Sequence, residues 1–203
     1  MTNNPTQNSA KPVAIYVHGL ASAAIGSTYG ILSRRYTQYE WISTDFGEDL
    51  EANITLLNSL IEKYDAKLVV GSSMGGLATL YATAPAAIKI AHNPALSVAD
   101  CVRHTIGLGT HQYLYERQDG VSEFTLTEEH CCKWEEYIAN HKITLGTRSY
   151  ALFSVHDELL GEQATLEAEK IVADAGFKVY TDEEGQHRLT GSTIRIIDTL
   201  LVE

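Results

Sequence analysis

The feature that most constrains this chain is a junction. The apolar run Lys67-Leu68-Val69-Val70 leads straight into Gly71-Ser72-Ser73-Met74-Gly75-Gly76, and the stretch from Met74 to Ala84 carries no helix breaker after Gly76. A short β-branched run ending at glycine reads as a buried strand, and the segment beyond it reads as a helix stopped near Pro85. A serine on so sharp a turn exposes its Oγ and takes up unfavourable backbone angles. Flanking glycines relieve crowding where strand and helix approach. The N–H of Met74, at the positive end of the helix dipole, then points toward any oxyanion formed beside Ser73. The plain alternative is a glycine-rich turn that only packs helix on strand; the strand before and the helix after weigh against it.

The same rhythm runs through most of the chain. Val13-Ala14-Ile15-Tyr16-Val17 reads as a buried strand ending at His18-Gly19, and Trp41 to Thr44 as a second strand. Leu50, Ile54, Leu57, Ile61 and Tyr64 recur at helical spacing. Further strands are expected at Ile88–Ala91, Tyr150–Val155 and Phe177–Tyr180. Helices are expected with Ala164, Ala168, Ile171, Val172 and Ala175 on one face, capped by Gly176, and with Ile194, Ile197 and Leu201 on another. Alternating strands and helices imply an α/β fold, a mainly parallel sheet flanked by helices. In such sheets the ligand site lies beyond the carboxyl ends of the strands.

One segment departs from this rhythm. Between about Ser97 and Thr147 come a short helical stretch (Val98, Val102, Ile106) and a Gly107/Gly109 turn. A hairpin of Gln112–Arg117 and Val121–Leu126 about Asp119-Gly120 is expected next, then a helix around Cys131, Trp134 and Ile138 with Thr127 as N-cap. It is too short for a second domain and reads as a cap over the sheet's active edge. The expected organisation is a flexible leader at 1–12 and one domain at 13–203 with this insertion at about 97–147. Tyr113, Tyr115, Phe124 and Trp134 are expected to form the insertion's small core.

Composition removes several classes. A formal net charge of −11 without a basic run argues against nucleic acid. The leader lacks the apolar core of a secretion signal, and no stretch is long and apolar enough to span a bilayer, so no membrane partner is expected. Three cysteines, two of them adjacent, make no disulfide framework and point to a cytoplasmic setting. His130, Cys131, Cys132 and His141 are metal-ligating types, but neighbours on a helix diverge by about 100° and no Cys-x-x-Cys occurs, so no metal site is expected.

A serine needs a general base, and chain order after the elbow should run acid, then histidine. His187 falls after the last strand and Asp157 just past the fifth, so both emerge at the same sheet edge as Ser73. Glu158, Asp182, Glu183 and Glu184 are rival acids, most of that acidic run being read as a solvated face; His156 is a weaker base beside its own acid. The turn His18-Gly19-Leu20 closes the first strand, and the Leu20 N–H is positioned as a second oxyanion donor, with Ala21 the neighbouring choice.

The His18-Gly19 turn, the Gly-x-Ser-x-Gly elbow, Asn93-Pro94, His156-Asp157-Glu158-Leu159-Leu160 and Glu184-Gly185-Gln186-His187 together resemble the YqiA-like small esterases of the α/β-hydrolase superfamily, from about Val13 to the C-terminus. The chain departs from that pattern at Gln186, where the group often has a second glycine. The resemblance implies the α/β-hydrolase fold and a carboxylester hydrolase without cofactor, with Ser73 as nucleophile, Asp157 as orienting acid and His187 as base. Read on the residues themselves, the expected function is a serine hydrolase cleaving a small-molecule ester or acyl substrate through an acyl-enzyme. The alternatives are a thioesterase or acyltransferase on the same residues, and a catalytically silent hydrolase-fold binding protein.

Overall fold

The computed structural model describes residues 11–202; most of the expected leader, residues 1–10, lies outside them. Its centre is a six-stranded sheet ordered β2-β1-β3-β4-β7-β8, every neighbouring pair parallel. The strands are β1 (Val13–Val17), β2 (Glu40–Ile42), β3 (Leu68–Ser72), β4 (Ile88–His92), β7 (Arg148–His156) and β8 (Lys178–Gln186).

Alternation along the strands builds two cores. Ile15, Val17, Val69, Ala91, Ala151 and Phe153 face one side, which α2 (Leu50–Tyr64), α3 (Met74–Tyr81) and α6 (Glu162–Asp174) cover. Ala14, Tyr16, Leu68, Val70, Ile90, Tyr150 and Leu152 face the other, closed by Leu32 and Tyr36 at α1 (Ser27–Arg35) and by Ile197 and Leu200 of α7 (Gly191–Val202). Both faces of a parallel sheet are thus buried, as the near-continuous apolar strands require.

The insertion holds α4 (Val98–Cys101) running into a π-helical turn (Val102–Ile106), the antiparallel pair β5 (Gly109–Gln112) and β6 (Glu123–Leu126), and α5 (Glu128–Asn140). Thr127 caps α5 as expected, its hydroxyl accepting the His130 N–H. Phe124 and Trp134 are buried and the Tyr113 ring packs at a tilt on Phe124, centroids 4.7 Å apart, whereas Tyr115 leaves this cluster for the Ser73 cleft.

Several expectations are corrected. The two-residue turn at Asp119-Gly120 does not form; Gln112 pairs with Glu123, leaving residues 113–122 as a loop. That loop is drawn onto the body by polar contacts, its Gln118 and Asp119 N–H groups donating to the Asp45 carboxylate. Strand β2 ends at Ile42, because the Ser43 hydroxyl turns back to the Tyr16 carbonyl. Ile171 sits on the exposed side of α6, where Thr165, Ala168 and Val172 form the buried stripe.

Helix α3 stops at Tyr81 rather than Ala84. Its last carbonyls go to side chains: the buried Lys89 Nζ donates to Leu80 O and Ala82 O and lies 2.6 Å from Thr144 O, tying the returning insertion to the helix end. Burial lowers the Lys89 pKa to about 7. Strand β8 runs on to Gln186, so the acidic run is strand and not wholly solvated. Asp182 is buried and accepts from the Ser192 and Thr193 hydroxyls. Among the described residues no helix is long and apolar enough to cross a membrane.

Candidate active site

Ser73 stands between β3 and α3 with φ 58° and ψ −119°, a conformation that costs a non-glycine residue on the order of 1–3 kcal/mol. The surrounding packing enforces it. A Cβ on Gly71 would fall 2.1 Å from the Gly75 carbonyl oxygen, and one on Gly75 would fall 2.1 Å from that of Val17. The Ser73 N–H donates to His92 O, and its own carbonyl accepts from Leu77 and Ala95.

Three side chains from separate loops meet here. His187 Nε2 lies 3.0 Å from Ser73 Oγ, and His187 Nδ1 lies 2.9 and 2.8 Å from the two Asp157 oxygens. An ionised carboxylate only accepts, so Nδ1 carries the proton and Nε2 presents its lone pair to the serine hydroxyl. Asp157 is 6% exposed. Burial by itself would raise its pKa; the His187 hydrogen bond and charge, with the Leu160 and Leu159 N–H groups, outweigh this and hold it below the ordinary carboxylate value.

The rival acids go elsewhere. Glu158 accepts the His187 backbone N–H, Asp182 holds the start of α7, Glu184 pairs with Arg195, and Glu183 is exposed. His156 is exposed and lies in β7 opposite Gln186. Cys131 is buried and Cys132 exposed, while His130 is spent on the α5 cap and His141 stacks on Tyr137.

The turn after β1 lies against the elbow. A Cβ on Gly19 would come within 3.0 Å of Ser73 Cβ. His18 fixes this turn: its Nε2 accepts the Phe46 N–H, so its Nδ1–H donates to Gly19 O, and burial lowers its pKa to about 4. Among the described residues none of the Met74, Leu20 and Ala21 N–H groups donates a hydrogen bond; Ala21, at φ 60°, accepts the Leu114 N–H at its carbonyl.

Asn93 is the residue that sequence reasoning left without a role. At φ 42° it directs its amide under the His187 loop, where Nδ2 lies 3.1 Å from Ser154 Oγ, 3.0 Å from Gln186 O and 3.1 Å from His187 O. Its Oδ1 accepts the Ser154 N–H. A polar residue directly after a buried strand and before proline was the available signal. The cleft above Ser73 is small, about 130 Å³, with Ile106, Leu114 and Leu159 among its apolar lining. A roomier groove between Asp49 and His141 lies away from the serine.

Solved structures share this architecture. A monoacylglycerol lipase from Paleococcus ferrophilus superposes with a TM-score of 0.63 at 14% identity, covering 95% of each chain. Est1E from Butyrivibrio proteoclasticus gives 0.64 at 13% identity, over 98% of this chain and 87% of its own. Alpha/beta hydrolase domain-containing protein 10 from mouse gives 0.59 at 17%, over 94% and 88%. At such identities the likeness establishes the fold, an α/β-hydrolase fold. No curated protein matches the chain significantly by sequence. The model of Uncharacterised protein family UPF0227 matches residues 13–193, from the first residue of β1 into α7. With the junction, the histidine loop and the strand order all inside that span, this chain belongs to family UPF0227, the YqiA-like family, and has the α/β-hydrolase fold.

Proposed function

We propose that this protein is a serine hydrolase that cleaves carboxylic esters through an acyl-enzyme. The observation that carries this reading is the unbroken hydrogen-bonded line from Ser73 Oγ through His187 to the buried Asp157. Ser73 Oγ attacks the ester carbonyl as His187 Nε2 takes its proton, giving a tetrahedral oxyanion. Asp157 holds the imidazole in the required tautomer and stabilises the imidazolium. The Met74 and Leu20 N–H groups receive the oxyanion, and one such donor is typically worth about 3 kcal/mol in the transition state. The imidazolium then gives its proton to the departing alkoxide. Water, deprotonated by the same imidazole, attacks the acyl carbonyl and returns Ser73 and the free acid.

Two of the similar structures bear the names of a lipase and an esterase, in keeping with this reading. The small cleft and its apolar lining favour short acyl chains. The test is hydrolysis of p-nitrophenyl acetate and butyrate by the wild type and by Ser73→Ala. The variant should keep its fold and lose at least about 10⁴-fold in kcat. Turnover retained by a folded Ser73→Ala, or a Ser73 that refuses a fluorophosphonate probe, would overturn the assignment.

A further inference from the structure

The Ser73 cleft has an unexpected electrical character. The chain carries 26 acidic against 15 basic residues, yet among the described residues no carboxylate lines this cleft. Asp157 lies behind the imidazole, and the charged residue at the wall is Arg188, next to His187 in sequence and exposed. Most other guanidinium groups are engaged: Arg35 with Asp198, Arg103 with Glu128 and Glu135, Arg117 with Asp119, Arg148 with Leu200 O, Arg195 with Glu184; Arg34 points to solvent from α1, away from the cleft. Arg188 has no hydrogen bond or ion pair among the described residues. The nearest carboxylate in sequence, Glu184, pairs with Arg195, and Glu158 is turned to the His187 backbone. Tyr16, Ser22, Ser27, Thr28, Ser72 and Tyr115 add hydroxyls to the lining, with Ser27 Oγ and Tyr115 OH 3.0 Å apart.

From this we infer that the substrate is an ester bearing a carboxylate, and that Arg188 receives this second, unreactive group while Ser73 acts on the ester. A guanidinium matches a carboxylate in a planar, two-bond geometry, and the hydroxyls supply further donors to its oxygens. A cationic substrate finds no partner in this lining. Selection by charge also fits the size of the cleft, which has little room to select by bulk.

The inference rests on Ser73 as the reacting residue, and its test separates recognition from chemistry. Two matched pairs are used: 3-carboxyphenyl against 3-carbamoylphenyl butyrate, with the charge on the alcohol side, and the phenyl half-ester of adipic acid against its amide, with the charge on the acyl side. Binding is measured by calorimetry on Ser73→Ala, which leaves the esters intact, and kcat/KM on the wild type. In at least one pair the charged member should be favoured about fivefold at low ionic strength, less as salt is added. Arg188→Gln should bring that ratio close to one, and Arg188→Glu should invert it. General damage to the site lowers both members of a pair and leaves the ratio where it was. No preference in either pair, or a preference that survives Arg188→Gln, overturns the inference. Charge-selective binding without turnover upholds it and removes only the hydrolase reading.

Discussion

Gly71, Gly75 and Gly76 stand where β3 gives way to α3, whereas Gly107, Gly109 and Gly120 stand in the insertion, and an added methyl group meets different surroundings in the two places. At the junction it strikes backbone: carbonyl oxygens lie 2.1 Å away at Gly71 and Gly75 and 2.9 Å away at Gly76. In the insertion it meets nothing within 4 Å, and those glycines serve their positive φ values of 95°, 123° and 75°. The body is therefore fixed by close packing that leaves no slack around Ser73. The insertion shares the body's core through Val98, Val102, Phe124, Leu126, Cys131 and Trp134, and its 113–122 loop is held besides by polar ties to one short segment. Asp45 accepts from Ala24, Gln118 and Asp119, Phe46 O from Arg117, Glu48 O from Trp134, and the Glu48 carboxylate from Tyr113.

The sharpest way to break this contrast is Gly75→Ala. Within an ordinary helix the change adds about 1 kcal/mol of stability. Here the methyl would overlap Val17 O, so α3 would have to leave β1 and β3. A loss above about 4 kcal/mol is expected, read as failure to fold or a collapsed urea midpoint. A stable, active Gly75→Ala would show that the junction is not held by close approach.

Acid should separate the regions next. His18 and His92 are buried in the body and burial lowers each pKa from 6.5 to about 4. Unfolded, both take up a proton near 6.5; folded, only near 4. The unfolded chain thus binds more protons between those values, and stability is lost as pH falls through that window, by up to about 3 kcal/mol per histidine. Urea midpoints measured from pH 7 to pH 4 should fall steeply, and a His92→Gln variant should fall less. A flat profile would contradict the burial of these imidazoles as neutral groups.

How much was legible beforehand divides along the same line. The body's strands announced themselves because burial on both faces demands unbroken apolar runs, and chain order alone brought Asp157 and His187 to the edge that holds Ser73. What escaped was set by distant partners. No local pattern says that Gln118 will bond Asp45 rather than close a hairpin, or that Lys89 and Thr144 will end α3 early. Asp182 hid inside an acidic run because its partners, the Ser192 and Thr193 hydroxyls, lie beyond a loop. Asn93 had a recognisable sequence neighbour in Pro94 but no visible task until the His187 loop was laid across it.

That task sharpens the comparison within the body itself. Asn93→Asp keeps the size and an acceptor for the Ser154 N–H but gives up the donors to Gln186 O and His187 O. Under the proposed chemistry kcat should drop about 30-fold, roughly 2 kcal/mol, with KM little changed. A purely structural role would lower the melting temperature and leave kcat of the folded fraction intact.

The smallest effect is expected where the insertion is tied down. Asp45→Ala removes the acceptor for three backbone N–H groups, two of which are exposed and can turn to water. The cost should be only about 1–2 kcal/mol, most of it from the buried Ala24 N–H. Its location matters more than its size: freed from Asp45, the 113–122 loop should be cut by protease well before the sheet unfolds. Cleavage there, with the urea midpoint lowered by less than about 1 M, would show that Asp45 holds this loop. Equal protease resistance in wild type and variant would shift that role to Arg117 and Glu48, whose bonds to Phe46 O, Tyr113 and Trp134 remain in the variant.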